Sequence, residues 1–245
     1  MLRRIGAILI SLLFTLLSQA APGSRCNTAL SELYIPTQRL LKNNYVTSRG
    51  LAEYIRHLHP DFAKKLRSLG PNHHWVDLGA GKANAQIEFL KELSDLHLAP
   101  LATAVAFKLD RWWGPRHFQN KLQVKEGFFE LQDISQWPSV DLITDFMGVI
   151  SYSKNIGLSL QKAFDLLREG GEFYTYSSHL LIRIVNSSGH NLSLTDFLKT
   201  IPGLEVEGRY GVLKITKVSS QIQVPQTELI HYMDDAPPQL TFQIR

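Results

Sequence analysis

Gly79 and Gly81 stand at the end of a short apolar run, Trp75-Val76-Asp77-Leu78, and just ahead of a stretch in which Ala85, Phe89, Leu90 and Leu93 recur at helical spacing. A glycine turn between a strand and a helix brings backbone N–H groups and the positive helix end close to a ligand. The chemistry it suggests is recognition through the main chain. A dinucleotide-binding turn would carry a third glycine at position 84, where Asn84 stands, which disfavours a nicotinamide or flavin. Taken alone, the two glycines fit a tight strand-to-helix turn equally well. Metal chemistry has little support: Cys26 is the single cysteine and the nine histidines are scattered. His57 and His59, two residues apart on a helix, do not share a face and read as solvated.

The elements that would position this turn alternate. Residues 27 to about 70 read as helical, with Leu51, Ile55 and Leu58 and then Phe62, Leu66 and Leu69 at helical spacing, until Gly70-Pro71 ends the pattern. Beyond it, strands are expected at residues 75–78, 103–107, 127–131, 140–144 and 172–176. A helix is expected over 158–167, and Gly170-Gly171 turns the chain into the last of those strands. Strands separated by helical stretches imply crossover connections and a mostly parallel sheet, hence an α/β fold. Two strands close in sequence, 204–208 and 212–218, favour an antiparallel pair at the end of the sheet. The tail after Gln221 has weak periodicity, with an edge strand at 240–244.

Asp77-Leu78-Gly79-Ala80-Gly81-Lys82-Ala83 resembles the first motif of the class I S-adenosylmethionine-dependent methyltransferases, an acid followed by alternating glycines, with Ala83 in the place of the third. The resemblance runs over roughly residues 50 to 218. Asp133-Ile134 is similar to the family's acidic position near the adenine amine, Asp141 to Phe146 to its fourth strand, and Leu167 to Phe173 to the turn into the fifth. It implies a Rossmann-like methyltransferase fold: a mostly parallel seven-stranded sheet with an antiparallel last strand and helices on both faces. It also implies S-adenosylmethionine as cofactor, held by Asp77, Gly79, Ala80, Gly81, Asp110, Asp133, Ile134 and Asp145. The family's ribose-binding acid ends the second strand; here that strand runs into Lys108, and either Asp110, two residues later, takes the role or the ribose clamp is missing.

Methyl transfer draws much of its rate from positioning and desolvation, so a base is not obligatory and no catalytic residue is assigned. Asp145, Tyr152, Ser177, Ser178 and His179 follow strands at the edge where such sheets bind ligands, Tyr152 as a lining residue of an acceptor pocket. A lone His179 fits a surface position better than a general base. Trp112, Trp113 and His117 offer rings to an adenine or an acceptor, or pack against the helical segment. Asp145-Phe146-Met147-Gly148 stands where enzymes that methylate amino groups of nucleic-acid bases or glutamine carry an Asn-Pro-Pro-Tyr-like motif, so that class is disfavoured.

The charge balance has to be located before it is interpreted. The 245 residues carry a net charge of +4, and 44% of them are hydrophobic, which excludes a mainly disordered chain. Arg3 and Arg4 precede an apolar run over 5–17, and Ser18-Gln19-Ala20 supplies small residues ahead of Ala21: the layout of a secretory signal peptide. The run is shorter than the roughly 20 residues a spanning helix needs, so an anchor is the weaker reading. Without residues 1–20 two arginines and no acids are lost, the balance falls to +2, and the case for nucleic acid largely disappears. Four segments are therefore expected: a signal peptide (1–20), a helical lead-in (21–70), a methyltransferase-like domain (71–220) and a C-terminal tail (221–245). Export, periplasmic or secreted, conflicts with a cofactor made in the cytosol. That conflict motivates an alternative function, an exported non-catalytic binding protein that keeps the fold.

Overall fold

The computed structural model describes residues 33–35, 48–107, 118, 120–177, 180–234 and 237–245. The expected signal segment, Asp110, Trp112, Trp113, His117, Ser178 and His179 lie outside the described residues.

Two short helices, α1 (Leu51–His57) and α2 (Asp61–Arg67), lead into β1 (His74–Leu78). Every residue of β1 is buried, as are all seven of β4 (Val140–Phe146), so neither strand shows polar alternation. Both lie inside one sheet with β2 (Leu101–Ala106), β3 (Leu122–Glu126), β5 (Leu167–Tyr176), β8 (Leu204–Arg209) and β9 (Val212–Lys217). The order across it is β3-β2-β1-β4-β5-β9-β8. The β3-β2-β1-β4-β5 neighbours pair in parallel, whereas β9 runs antiparallel to both β5 and β8. This is the expected seven-stranded arrangement.

Side chains alternate across the sheet. Trp75, Leu142, Phe146 and Tyr174 pack on one face against Leu51, Tyr54, Leu58, Phe62 and Leu66 of the leading helical segment and against Phe89 of α3 (Asn84–Glu92). Val76, Leu78, Ile143 and Phe173 point the other way, toward α4 (Val149–Tyr152), α5 (Ile156–Leu166) and α6 (Leu194–Lys199). In α1 the inward residue is Tyr54 rather than the expected Ile55, which is exposed. The helix is only two turns long, and its inward face is set by residues three apart.

The third strand lies earlier than expected. Residues 127–131 contain Gly127 at φ +112° and a 3₁₀ turn, Phe129–Leu131, while the strand itself is β3. As the edge of the sheet, β3 buries only Leu122 fully and Val124 in part, with polar residues between and after them, so its sequence carries a weak signal. Phe128 and Phe129 are apolar because they pack at the strand's end.

A second sheet, with the order β10-β11-β6-β7, was not legible in advance. It is built from β6 (Leu181–Val185), β7 (Asn191–Ser193), β10 (Thr227–Met233) and β11 (Gln239–Ile244). The strand expected at 240–244 is present as β11, but it lies between β10 and β6 and pairs with β6 in parallel. Leu240 and Phe242 of β11 join the core that contains Phe197 and Phe173. The segment before β10 is tied to α5: Gln161 accepts from the Val224 N–H and donates to the Ile222 carbonyl, and Gly157 N–H donates to Thr227 Oγ1. Among the described residues no helix is long and apolar enough to cross a membrane.

Candidate functional site

From β1 the chain builds outward to β2 and β3, then returns to place β4 on the other side of β1. The carboxyl ends of β1 and β4 therefore flank the point where the winding reverses, which is where open α/β sheets bind ligands. The loop at the end of β1 is the glycine turn.

That turn is a packing device before it is a ligand surface. Gly79 and Ala80 both donate their N–H groups to Val105 O, at 3.0 and 2.9 Å. Gly79 adopts φ +83°, and a Cβ built on it would lie 2.5 Å from Gly148 Cα. A Cβ on Gly148 would in turn collide with Leu78 O and Asp145 Oδ1. Gly81 and Ala83 are left-handed as well, and Ala83 N–H closes the turn on Ala80 O at 2.8 Å. Asn84 holds the preceding segment, its Nδ2 donating to Ser48 O at 3.0 Å.

Asp77 is fully buried on the α1 face. Tyr54 OH donates to Oδ2 at 2.8 Å, and Thr144 Oγ1 donates to Oδ1 at 2.7 Å while itself accepting from Trp75 Nε1 at 2.9 Å. Burial pushes the carboxyl up to about 6, against the two hydrogen bonds and the charge of Arg49, which favour the anion. Both oxygens are committed to protein partners, so Asp77 locks the end of β1 to α1 and β4.

Asp145 faces the opposite side of the sheet. Its Oδ2 accepts from Ile150 N–H at 2.9 Å, whereas Oδ1 is buried without a partner. Burial, with the nearby charge of Asp77 adding to it, raises this acid to about 8 against the amides that stabilise its anion. It is therefore largely neutral at pH 7. In register beside it on β5, Thr175 also has a buried hydroxyl lacking a partner, as does Ser151 on α4.

Arg49, which carried no signal in the sequence, reaches over the strand ends. Nη1 donates to Phe146 O, Nη2 contacts Met147 Sδ at 3.4 Å, and the guanidinium lies 4.7 Å from the centre of the Phe146 ring. Among the described residues no carboxylate pairs with it. His57 stacks on Phe146 at 5.7 Å and lies 5.4 Å from Tyr176, so this histidine is an aromatic neighbour of the strand ends rather than a solvated surface group. A second ring cluster gathers beyond β2 and β3, where Phe128 lies 4.8 Å from Phe107 and 4.9 Å from Tyr34. Tyr152 packs partly buried against it. The segment carrying Tyr34 is fastened across the chain after α4, with Ile35 N–H donating to Tyr152 O and Lys154 N–H to Leu33 O, each at 2.8 Å.

The structure thus brings Asp77, Gly79, Ala80, Gly81 and Asp145 to the ends of β1 and β4. Asp133 and Ile134, which follow β3, share no hydrogen bond with that set among the described residues. Asp133 is exposed and caps its own turn by accepting from Ser135 N–H at 2.9 Å; that turn and the charge of Lys162, midway along α5, hold its carboxyl below the usual range. Ile134 packs partly buried against the core. The residue that directly follows the β3 glycine is Phe128. Among the described residues no group of histidine, cysteine and acidic side chains is placed to hold a metal ion.

No protein-family model matches the chain. No curated protein matches it either. Solved structures that it resembles include MNMC2 from Aquifex aeolicus, at 15% identity and a TM-score of 0.42 over 66% of this chain and 60% of that one. They also include geranyl diphosphate C-methyltransferase from Streptomyces coelicolor A3(2), crystallised with Mg2+, geranyl diphosphate and S-adenosyl-L-homocysteine, at 12% identity and a TM-score of 0.38 over 47% and 42%. Coclaurine N-methyltransferase, bound to N-methylheliamine and SAH, aligns at 14% identity and a TM-score of 0.35 over 52% and 37%. The chain spans less than half the length of the geranyl diphosphate methyltransferase structures it matches. Its own strand order, with antiparallel β9 between β5 and β8, is the Rossmann-like methyltransferase fold implied by the sequence motifs.

Proposed function

We propose that this protein is an S-adenosylmethionine-dependent methyltransferase. The observation that carries the reading is the placement of the Asp77–Ala83 turn at the reversal point of the sheet, against the end of β4. The donor set there fits the cofactor. Arg49 supplies a guanidinium for the methionine carboxylate, and the Phe107 and Phe128 rings supply flat apolar surface for adenine. When bound, the cofactor supplies an electrophilic methyl group whose bonding electrons leave with sulfur.

The chain's own residues position and exclude water. Asp77 holds the turn through Tyr54 and Thr144, Gly79 lets it close against Gly148, and Arg49 and Phe146 cover the strand ends. A neutral Asp145 leaves no free negative charge beneath the β4 loop. Asp133, exposed and engaged with Ser135 N–H, is left out of this proposed set, and the proposed cofactor contacts beyond β2 and β3 are aromatic.

Calorimetry of the folded protein with S-adenosylmethionine and S-adenosylhomocysteine tests the reading. Saturable one-to-one binding of both is expected. No binding at high protein concentration, with an intact circular dichroism spectrum, would exclude it. We also propose that residues 1–20 direct export; the Arg3-Arg4 start and short apolar run support it, and fusion of residues 1–30 to a reporter active only outside the cytosol tests it. A silent reporter would reject export.

A further inference from the structure

We infer that the cleft between the β8–β9 hairpin and the second sheet is the acceptor site, and that it takes a flat, partly apolar molecule carrying an anionic group. The cleft encloses about 620 Å³ and starts at Ser177, the residue directly after β5. Ser177 N–H donates to Gly211 O at 2.8 Å, while the carbonyl of the preceding Tyr176 accepts from Met147 N–H at 2.9 Å. One end of the cleft thus lies one residue beyond β5, whose end is hydrogen-bonded to the loop after β4. The role as acceptor site rests on the methyltransferase reading.

Three cations line the cleft: Arg183 on β6, Lys199 at the end of α6 and Arg209 at the end of β8. Among the described residues none of them pairs with a carboxylate. The one acid in the lining, Asp196, is engaged with Ser193 Oγ at 2.7 Å as part of the α6 cap. With three cations against one carboxylate, an anion entering the cleft meets net positive charge.

The apolar component has an equally specific source. Arg209 pairs with Val212 across a two-residue turn, Tyr210-Gly211, in which both residues have positive φ, +54° and +76°. Glycine, asparagine or aspartate normally takes the first of these positions. Here a tyrosine occupies it and is 79% exposed, with Arg209 5.4 Å from its ring centre. A strained, uncovered ring beside a guanidinium is a ready stacking surface for an aromatic anion. Leu181, 42% exposed, adds apolar wall on the facing sheet.

The test uses 2-naphthoate and its uncharged analogue 2-naphthol as probes of the full-length protein, each titrated by displacement of 8-anilinonaphthalene-1-sulfonate fluorescence. Naphthoate is expected to bind at least tenfold more tightly than naphthol. Arg183→Glu and Arg209→Glu should each weaken naphthoate about tenfold or more and leave naphthol unchanged. Tyr210→Asn, which relieves the turn and removes the ring, should weaken both probes while raising the unfolding temperature. Equal affinities for the two probes, or unchanged naphthoate binding in the arginine variants with an intact near-ultraviolet circular dichroism spectrum, would overturn the anionic cleft. S-adenosylmethionine calorimetry on the same samples separates the two readings. Cofactor binding without a naphthoate preference removes this proposal alone. A naphthoate preference without cofactor binding removes the acceptor role and the methyltransferase reading together.

Discussion

Gly79 and Gly148 touch backbone to backbone, leaving 2.5 Å between Gly148 Cα and any Cβ placed on Gly79. The first glycine of the turn is therefore required by the end of β4, whatever ligand the turn also meets. Gly79→Ala is expected to cost about 2–4 kcal/mol, combining a left-handed φ with overpacking. Urea unfolding measures it. Gly148→Ala should cost a similar amount, and the double variant should cost less than the sum because each substitution already separates the same two loops. Additive losses would show that the two glycines act independently.

Tyr54 and Thr144 saturate Asp77, so either partner's removal leaves a buried oxygen without its donor. Tyr54→Phe should destabilise by about 1.5–3 kcal/mol, the range for a hydrogen bond to a charged group. It should also raise the Asp77 pKa further above about 6, because a bond that favours the anion is lost. Carboxyl NMR titration checks the direction. An unchanged or lower value would show that the hydroxyl does not act on this acid.

Stability should depend on pH through Asp145. Burial makes the folded protein hold its proton more tightly than the unfolded chain, so the resulting stability is full below the ordinary carboxylate range and is lost as pH rises through about 8. Buried His74 works in the opposite sense at lower pH, since its pKa is lowered by burial and its contribution disappears on acidification. Above roughly pH 6.5 the Asp145 effect should dominate, costing about 2 kcal/mol by pH 8. Asp145→Asn retains an oxygen for Ile150 N–H and should flatten that slope in urea unfolding. A variant as pH-dependent as the parent would assign the slope to another group.

Lys217 ends β9 with its ammonium buried, donating to Phe164 O at 2.6 Å and Leu167 O at 2.7 Å. It satisfies carbonyls at the end of α5 that have no partner of their own within the helix. Lys217→Met keeps the apolar stem while removing the ammonium and should destabilise by about 2–3 kcal/mol. Thermal unfolding would register the loss as a lower midpoint, and an unchanged midpoint would mean that these carbonyls find water.

The fold and the location of the turn were legible in the sequence because both depend on local chemistry. Strands such as β4, with Val140, Leu142, Ile143 and Phe146 spread over successive positions, announce burial on two faces, and Asp77 to Ala83 places the strand-to-helix turn by composition alone. β3 is hard to place from sequence because an edge strand buries only alternate side chains, and the apolar Phe128 and Phe129 beyond it imitate a strand. The second sheet escaped because β6 and β11 are about 55 residues apart in the chain, and no local pattern encodes that pairing. Arg49 and Tyr54 escaped for the same reason: an arginine in a loop and a tyrosine in a short helix have no distinctive spacing, and only folding brings them to Asp77 and Phe146.

By itself, then, the sequence determined that the chain winds an α/β sheet around a glycine turn carrying Asp77. Hydrophobic periodicity and turn chemistry act over a few residues, and those are written along the chain. Only the tertiary structure decided that Asp77 is sealed inside a hydrogen-bonded core, that Asp133 accepts from Ser135 N–H in its own turn, and that Arg209 and Tyr210 open onto a cleft. Contacts between residues distant in sequence are set by how the layers pack, and burial then sets which charges persist.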